Sequence, residues 1–101
     1  MHLVQLLLPL EDSDGQPFPA AQFDQIAHEL TEKFGGVTAY ARSPAEGRWK
    51  AGADTTHDDI VVIEVMVEQL DRQWWAALRQ RLEAEFRQDE IVIRAQPMER
   101  L

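Results

Sequence analysis

Cysteine is absent from the 101 residues. That one omission removes disulfides, thiolate nucleophiles, zinc–thiolate sites and iron–sulfur clusters together. The fold is expected to hold by packing alone, or by packing against a partner. Long apolar runs are missing as well. Nothing approaches the roughly 20 consecutive apolar residues that a membrane-spanning helix needs. Leu3 to Leu8 is too short for a signal-peptide core, has no basic flank and runs into Pro9 and acidic residues, so the expected location is the cytoplasm. Basic charge is scarce: 18 acidic residues against 10 basic ones leave a net charge of −8. Such a chain repels nucleic acid and anionic lipid unless its cations gather on one face. All of those cations except Lys33 and Lys50 are arginine, which suits planar ion pairs better than a diffuse phosphate-binding field. Neither nucleic acid nor a membrane is an expected partner.

Recognisable chemical motifs are missing too. There is no Ser-His-Asp order, phosphate-cradling glycine loop or nucleotide fingerprint. Glu11, Asp12 and Asp14 lack the ligand spacing and closing Glu of a calcium loop. His57-Asp58-Asp59, with His28 and His2 elsewhere, match no metal-ligand spacing, and loop acids before a strand are ordinarily solvated. No metal or cofactor is expected.

What remains is a soluble-type composition, 45% hydrophobic and 28% charged, in a chain of one-domain length (1–101). His2 to Leu8 is almost wholly apolar and reads as a strand buried on both faces, hence central in its sheet. Glu11 to Pro19 is a turn-forming loop around Asp14-Gly15. A helix opens at Pro19 or Ala20, with Phe23, Ile26, Ala27, Leu30 and Phe34 as its apolar stripe, and Gly35-Gly36 stop it. Val37 to Arg42 alternates as a half-buried strand. Ser43 to Gly47 is a turn, from which Arg48-Trp49-Lys50 return as a short arm, and Ala51 to Asp59 is a polar loop. Ile60 to Glu68 is the strongest strand, rich in β-branched residues. Asp71 caps a second helix whose stripe is Trp75, Leu78, Leu82 and Phe86, ending near Gln88. Ile91 to Ala95 closes the chain as a strand, and the tail Gln96 to Leu101 has little pattern. The order β-α-β-β-α-β gives a ferredoxin-like α+β fold: a four-stranded antiparallel sheet with both helices on one face, the first and third strands central.

Strand parity then divides the faces. Val61, Ile63, Val65 and Val67 are expected to meet the helices; Ile60, Val62, Glu64, Met66 and Glu68 face away. That second face is too apolar to stand in water, and its natural cover is a second copy, sheet against sheet, in a two-fold homodimer. Within it, Gln5, Tyr40, Arg42, Glu64 and Arg94 form a candidate polar cluster in a largely apolar cavity, the usual composition of a small-molecule site. An enclosed Glu64 is a candidate base, or is held ionised by Arg42. The plainer reading makes Arg42 and Glu64 a cross-strand ion pair that sets register and dimer geometry. Trp49 and Trp74 are expected to pack at an edge or interface.

The run FGGVTAYARSPAEGRWK (34–50), followed by the DDIVVIEVMV strand and the helix containing Trp74-Trp75, resembles a family of small uncharacterised bacterial proteins. The resemblance covers nearly the whole chain and implies a ferredoxin-like, α+β-barrel style of fold, often dimeric, with no assigned activity and no catalytic residues to carry over. More distantly the architecture is similar to dimeric α+β barrel proteins, among them cofactor-free monooxygenases. Their helix-borne histidine has no counterpart, since His28 sits beside the apolar stripe. RNA-recognition modules share the strand order, but they need exposed aromatics where this chain has Ile60, Val62, Glu64 and Met66.

Three functions follow as expectations. One is a homodimer that binds a small molecule through Tyr40, Arg42 and Glu64, with Gln5 and Arg94 as secondary contacts. Another is a cofactor-free monooxygenase or isomerase with Glu64 as base and Arg42 stabilising an enolate. The third is a structural module whose sheet face is filled by its partner.

Overall fold

A computed structural model of the chain describes residues 1–42 and 60–101. The expected turn at Pro44 and Gly47, the arm containing Trp49, and His57-Asp58-Asp59 lie outside the described residues. The elements are β1 (His2–Pro9), α1 (Ala20–Phe34), β2 (Thr38–Arg42), β3 (Ile60–Val67), α2 (Arg72–Glu85) and β4 (Val92–Pro97). They form a four-stranded antiparallel sheet in the order β2-β3-β1-β4, so the first and third strands are central, as their apolar sequences require. The fold is α+β and ferredoxin-like.

Local chemistry accounts for the boundaries. Pro19, at φ −59°, opens α1, where its missing N–H costs nothing. Gly35 closes the helix in the left-handed region at φ 91°, its N–H donating to the Thr31 carbonyl at 2.7 Å. Asp71 caps α2 by accepting from the Trp74 N–H at 3.1 Å. β4 runs to Pro97, beyond the expected end at Ala95; the Met98 N–H then donates to the Met1 carbonyl at 3.1 Å.

The core lies between the sheet and the two helices. Val4, Leu6 and Leu8 of β1 and Ile63, Val65 and Val67 of β3 meet Ile26 and Leu30 of α1 and Trp75, Leu78 and Leu82 of α2. Phe18 joins them from the first loop, with its ring edge-on to Phe86 at 4.9 Å. That loop is ordered around Asp12, whose Oδ1 accepts from the N–H groups of Asp14 and Gln16, both at 2.9 Å. Trp74 packs edge-on to Trp75 at 4.8 Å and to Phe34 at 5.4 Å, with Lys33 over its ring. It is a packing residue of the helix layer. β1 is not buried on both faces: Leu3, Gln5 and Leu7, pointing away from the helices, are half-buried. Among the described residues no helix is long and apolar enough to cross a membrane.

Candidate functional site

The pairing register turns the open sheet face into rows, because directly opposed residues in antiparallel strands share a face. Thr38 stands opposite Glu64, Glu64 opposite Gln5, and Gln5 opposite Arg94, so one polar row crosses all four strands. On one side of it the next row is Tyr40, Val62, Leu7 and Val92. On the other side stand Met66, Leu3 and Gln96. The row is a hydrogen-bonded relay set in an apolar surround. Arg94 donates from Nε to Gln5 Oε1 at 2.8 Å, and Gln5 donates from Nε2 to Glu64 Oε2 at 2.5 Å. A carboxamide suits the middle place, since it offers an acceptor to the guanidinium and a donor to the carboxylate.

Three of the expected site residues, Gln5, Glu64 and Arg94, are thus joined. Tyr40 lies one row from Glu64, and Arg42, opposite Ile60, lies two rows away. The expected cross-strand pairing of Arg42 with Glu64 is therefore corrected by the register. The place opposite Glu64 belongs to Thr38, four residues or about 13 Å along the strand from Arg42, and the carboxylate's partner is Gln5. Thr38 went unnoticed in the sequence although it shares the parity of Tyr40 and Arg42. Glu64 is half-buried rather than enclosed.

Beside the row, an open groove of about 870 Å³ runs from the end of α1 across β3. Gly35 and Gly36 deliver the chain from the helix onto Thr38, and all three line the groove; Glu64 and Leu3 line it from the sheet, Met66 and Glu68 follow along β3, and Lys33 and Arg100 complete the lining. The volume is in the range that holds small organic ligands, roughly 300–1,000 Å³. Glu64 is the residue shared by the relay and the groove. Among the described residues no three His, Asp or Glu side chains are gathered to hold a metal ion. His28 is exposed, 3.8 Å from Glu32.

No family model matches the chain, and no curated protein matches it. A solved structure that it resembles is a phage SAM lyase in complex with S-methyl-5'-thioadenosine. The match has a TM-score of 0.60 and 15% identity, and covers 94% of this chain and 79% of the other. At that identity the likeness is one of fold.

Proposed function

We propose that the chain binds a small organic molecule on the open face of its sheet, working as a cytoplasmic homodimer, with Glu64 as the principal polar contact. The observation that carries this reading is the Arg94–Gln5–Glu64 relay ending at the mouth of the 870 Å³ groove. Held through Oε2, the Glu64 carboxylate keeps a second oxygen for a hydroxyl or amine of a ligand, while Leu3 and Met66 offer apolar contact beside it. Thr38, beside Glu64 in the same row, adds a hydroxyl to the groove lining, and Tyr40 and Arg42 lie in the rows a larger ligand would reach. The second copy is part of the same proposal, and exposed apolar surface supports it: Met66 is 46% and Val92 45% exposed, with Leu3, Leu7, Pro9 and Ile60 half-buried between them.

The fold neighbour was captured with S-methyl-5'-thioadenosine, so that compound is the first probe. Native mass spectrometry of gently purified protein is expected to show a dimer carrying extra mass. Calorimetry with S-methyl-5'-thioadenosine is expected to give a site that Glu64→Gln weakens about tenfold, as a charge-assisted hydrogen bond becomes a neutral one. A bare monomer, indifferent to the compound in wild-type and variant alike, would sink the reading.

A further inference from the structure

β4 ends the sheet and pairs with β1 alone among the described strands, so the N–H and C=O groups along its outer side have no strand to bond. The helix layer stops short of it. Val4, on β1, is 1% exposed beneath the helices, yet its neighbour on β4, Ala95, is exposed and Ile93 on the same side is only half-buried. Between α2 and β4 this leaves a groove of about 220 Å³ with Val4, Trp75 and Ile93 in its lining and Arg72, Arg79 and Arg94 around it.

Arg72 and Arg79 stand at this small apolar groove and Arg94 stands on the other face of the same strand, so the β4 edge carries three guanidinium groups in a chain whose net charge is −8. Glu83 answers Arg79 at 3.1 Å. Arg94 engages Gln5 through Nε, and its terminal nitrogens have no partner among the described residues. Arg72 makes no side-chain hydrogen bond or ion pair among them either. Positive charge is therefore left over at this edge.

We propose that the groove takes an extended acidic peptide, which adds to β4 as a fifth strand. A strand laid about 4.8 Å beyond β4 would bond to its outer backbone and place alternate side chains against the flank of α2, inside the groove. The groove is smaller than the roughly 300 Å³ at which small-molecule pockets begin; it suits one or two apolar side chains held by a backbone. Carboxylates at the intervening positions meet Arg94 on the open face, and one at the strand's end meets Arg72. The ligand class is an extended segment alternating acidic and apolar residues.

The test uses the full chain and an acetylated, amidated hexapeptide of alternating glutamate and valine, with lysine replacing glutamate in the control. Heteronuclear NMR is expected to show slowed exchange of the β4 amides that point away from β1, with a shift of the Trp75 indole signal. The lysine peptide should bind at least tenfold more weakly. Arg72→Glu should weaken the acidic peptide at least tenfold; a carboxylate suits the first turn of a helix, so this variant keeps the fold, and Arg72→Ala provides a second, milder loss. The proposal is overturned by equal binding of the two peptides, or by no β4 protection at millimolar peptide. Perturbation centred on Glu64 instead would overturn it too. So would a free protein that sediments as a dimer with its β4 edge already protected, for then a second copy is the occupant.

Discussion

Gln5 is held at both ends of its carboxamide, by Arg94 on the oxygen and by Glu64 on the nitrogen, yet it is only half-buried. Those two facts separate positioning from stability. Replacing Gln5 by Leu removes two hydrogen bonds, but water reaches the groups left behind, so the expected loss in urea unfolding is within about 1 kcal/mol. Ligand affinity should fall much further, about tenfold or more, because the Glu64 carboxylate loses the contact that fixes its rotamer. A stability loss above about 3 kcal/mol with binding intact would make the relay a structural device instead. Gly35 gives the contrasting case. Nothing lies within 4 Å of a Cβ built there, so Gly35→Ala meets no clash, and its cost of about 1 kcal/mol comes from holding a φ of 91° with a side chain. Circular dichroism during thermal melting would read it as a lowered midpoint with an unchanged native spectrum.

At the scale of elements, α1 and α2 are coupled by the Phe86 ring beneath them and by an ion pair above. Phe86 is 0% exposed and touches Phe18 and Phe23 at ring distances of 4.9 and 5.5 Å. Phe86→Ala is expected to cost about 3–5 kcal/mol, enough to leave a domain of this size partly unfolded; a stable variant with a normal denaturation midpoint would contradict that packing. Arg81 reaches across to Glu29 with both terminal nitrogens, at 3.0 and 2.5 Å, and to Glu85 at 3.6 Å. Its pKa is raised, first by the hydrogen bond to Glu29; burial opposes this, and the charges of Glu29 and Glu85 add to it. A raised folded-state value contributes stability that is present at every pH below the unfolded arginine range and is lost only in strong alkali. Arginine titration therefore gives this bridge no pH dependence near neutrality. Salt does weaken it, and with both side chains about half exposed a double-mutant cycle on Arg81 and Glu29 should return roughly 0.2–1 kcal/mol, shrinking as salt rises.

The elements themselves were legible in the sequence because each carries a period. Trp75, Leu78, Leu82 and Phe86 recur at helical spacing, and the β-branched run of β3 has no helical alternative. Phe18 was not legible: its loop reads as turn residues, and nothing local says that the chain folds back to place it against Phe86. The candidate site was half legible for a related reason. Parity along a strand tells which face Glu64, Tyr40 and Arg42 belong to, whereas the row each occupies depends on the pairing of β2 with β3, which a single sequence does not encode in any short window. Hence the face came out right, Thr38 was missed, and Arg42 was set opposite Glu64 when the register puts it opposite Ile60.

For the whole molecule the governing asymmetry is that one side of the sheet is covered by two helices and the other carries an apolar field crossed by a single polar row. Burying the helix side supplies the fold's stability, since Leu6, Leu8, Leu30, Ile63 and Leu82 are all fully buried without help from another chain. Of the described apolar residues on the open side only Val62 is buried, and it stands outside the main core cluster, so a change at an exposed position there should alter association while sparing the fold. Met66 tests this most sharply: it is 46% exposed, lies next to Leu3 in the row beside Glu64, and is absent from the core cluster. If a second copy covers this face, Met66→Asp places two carboxylates, related by the two-fold axis, in a desolvated interface. Leaving a buried charge unpaired costs several kcal/mol, enough to abolish association at micromolar protein. Analytical ultracentrifugation should then show a wild-type dimer and a monomeric variant, with the circular dichroism spectrum unchanged. A dimer that survives Met66→Asp would move the interface off the open face; a variant that unfolds would mean that the two sides of the sheet are not energetically separate.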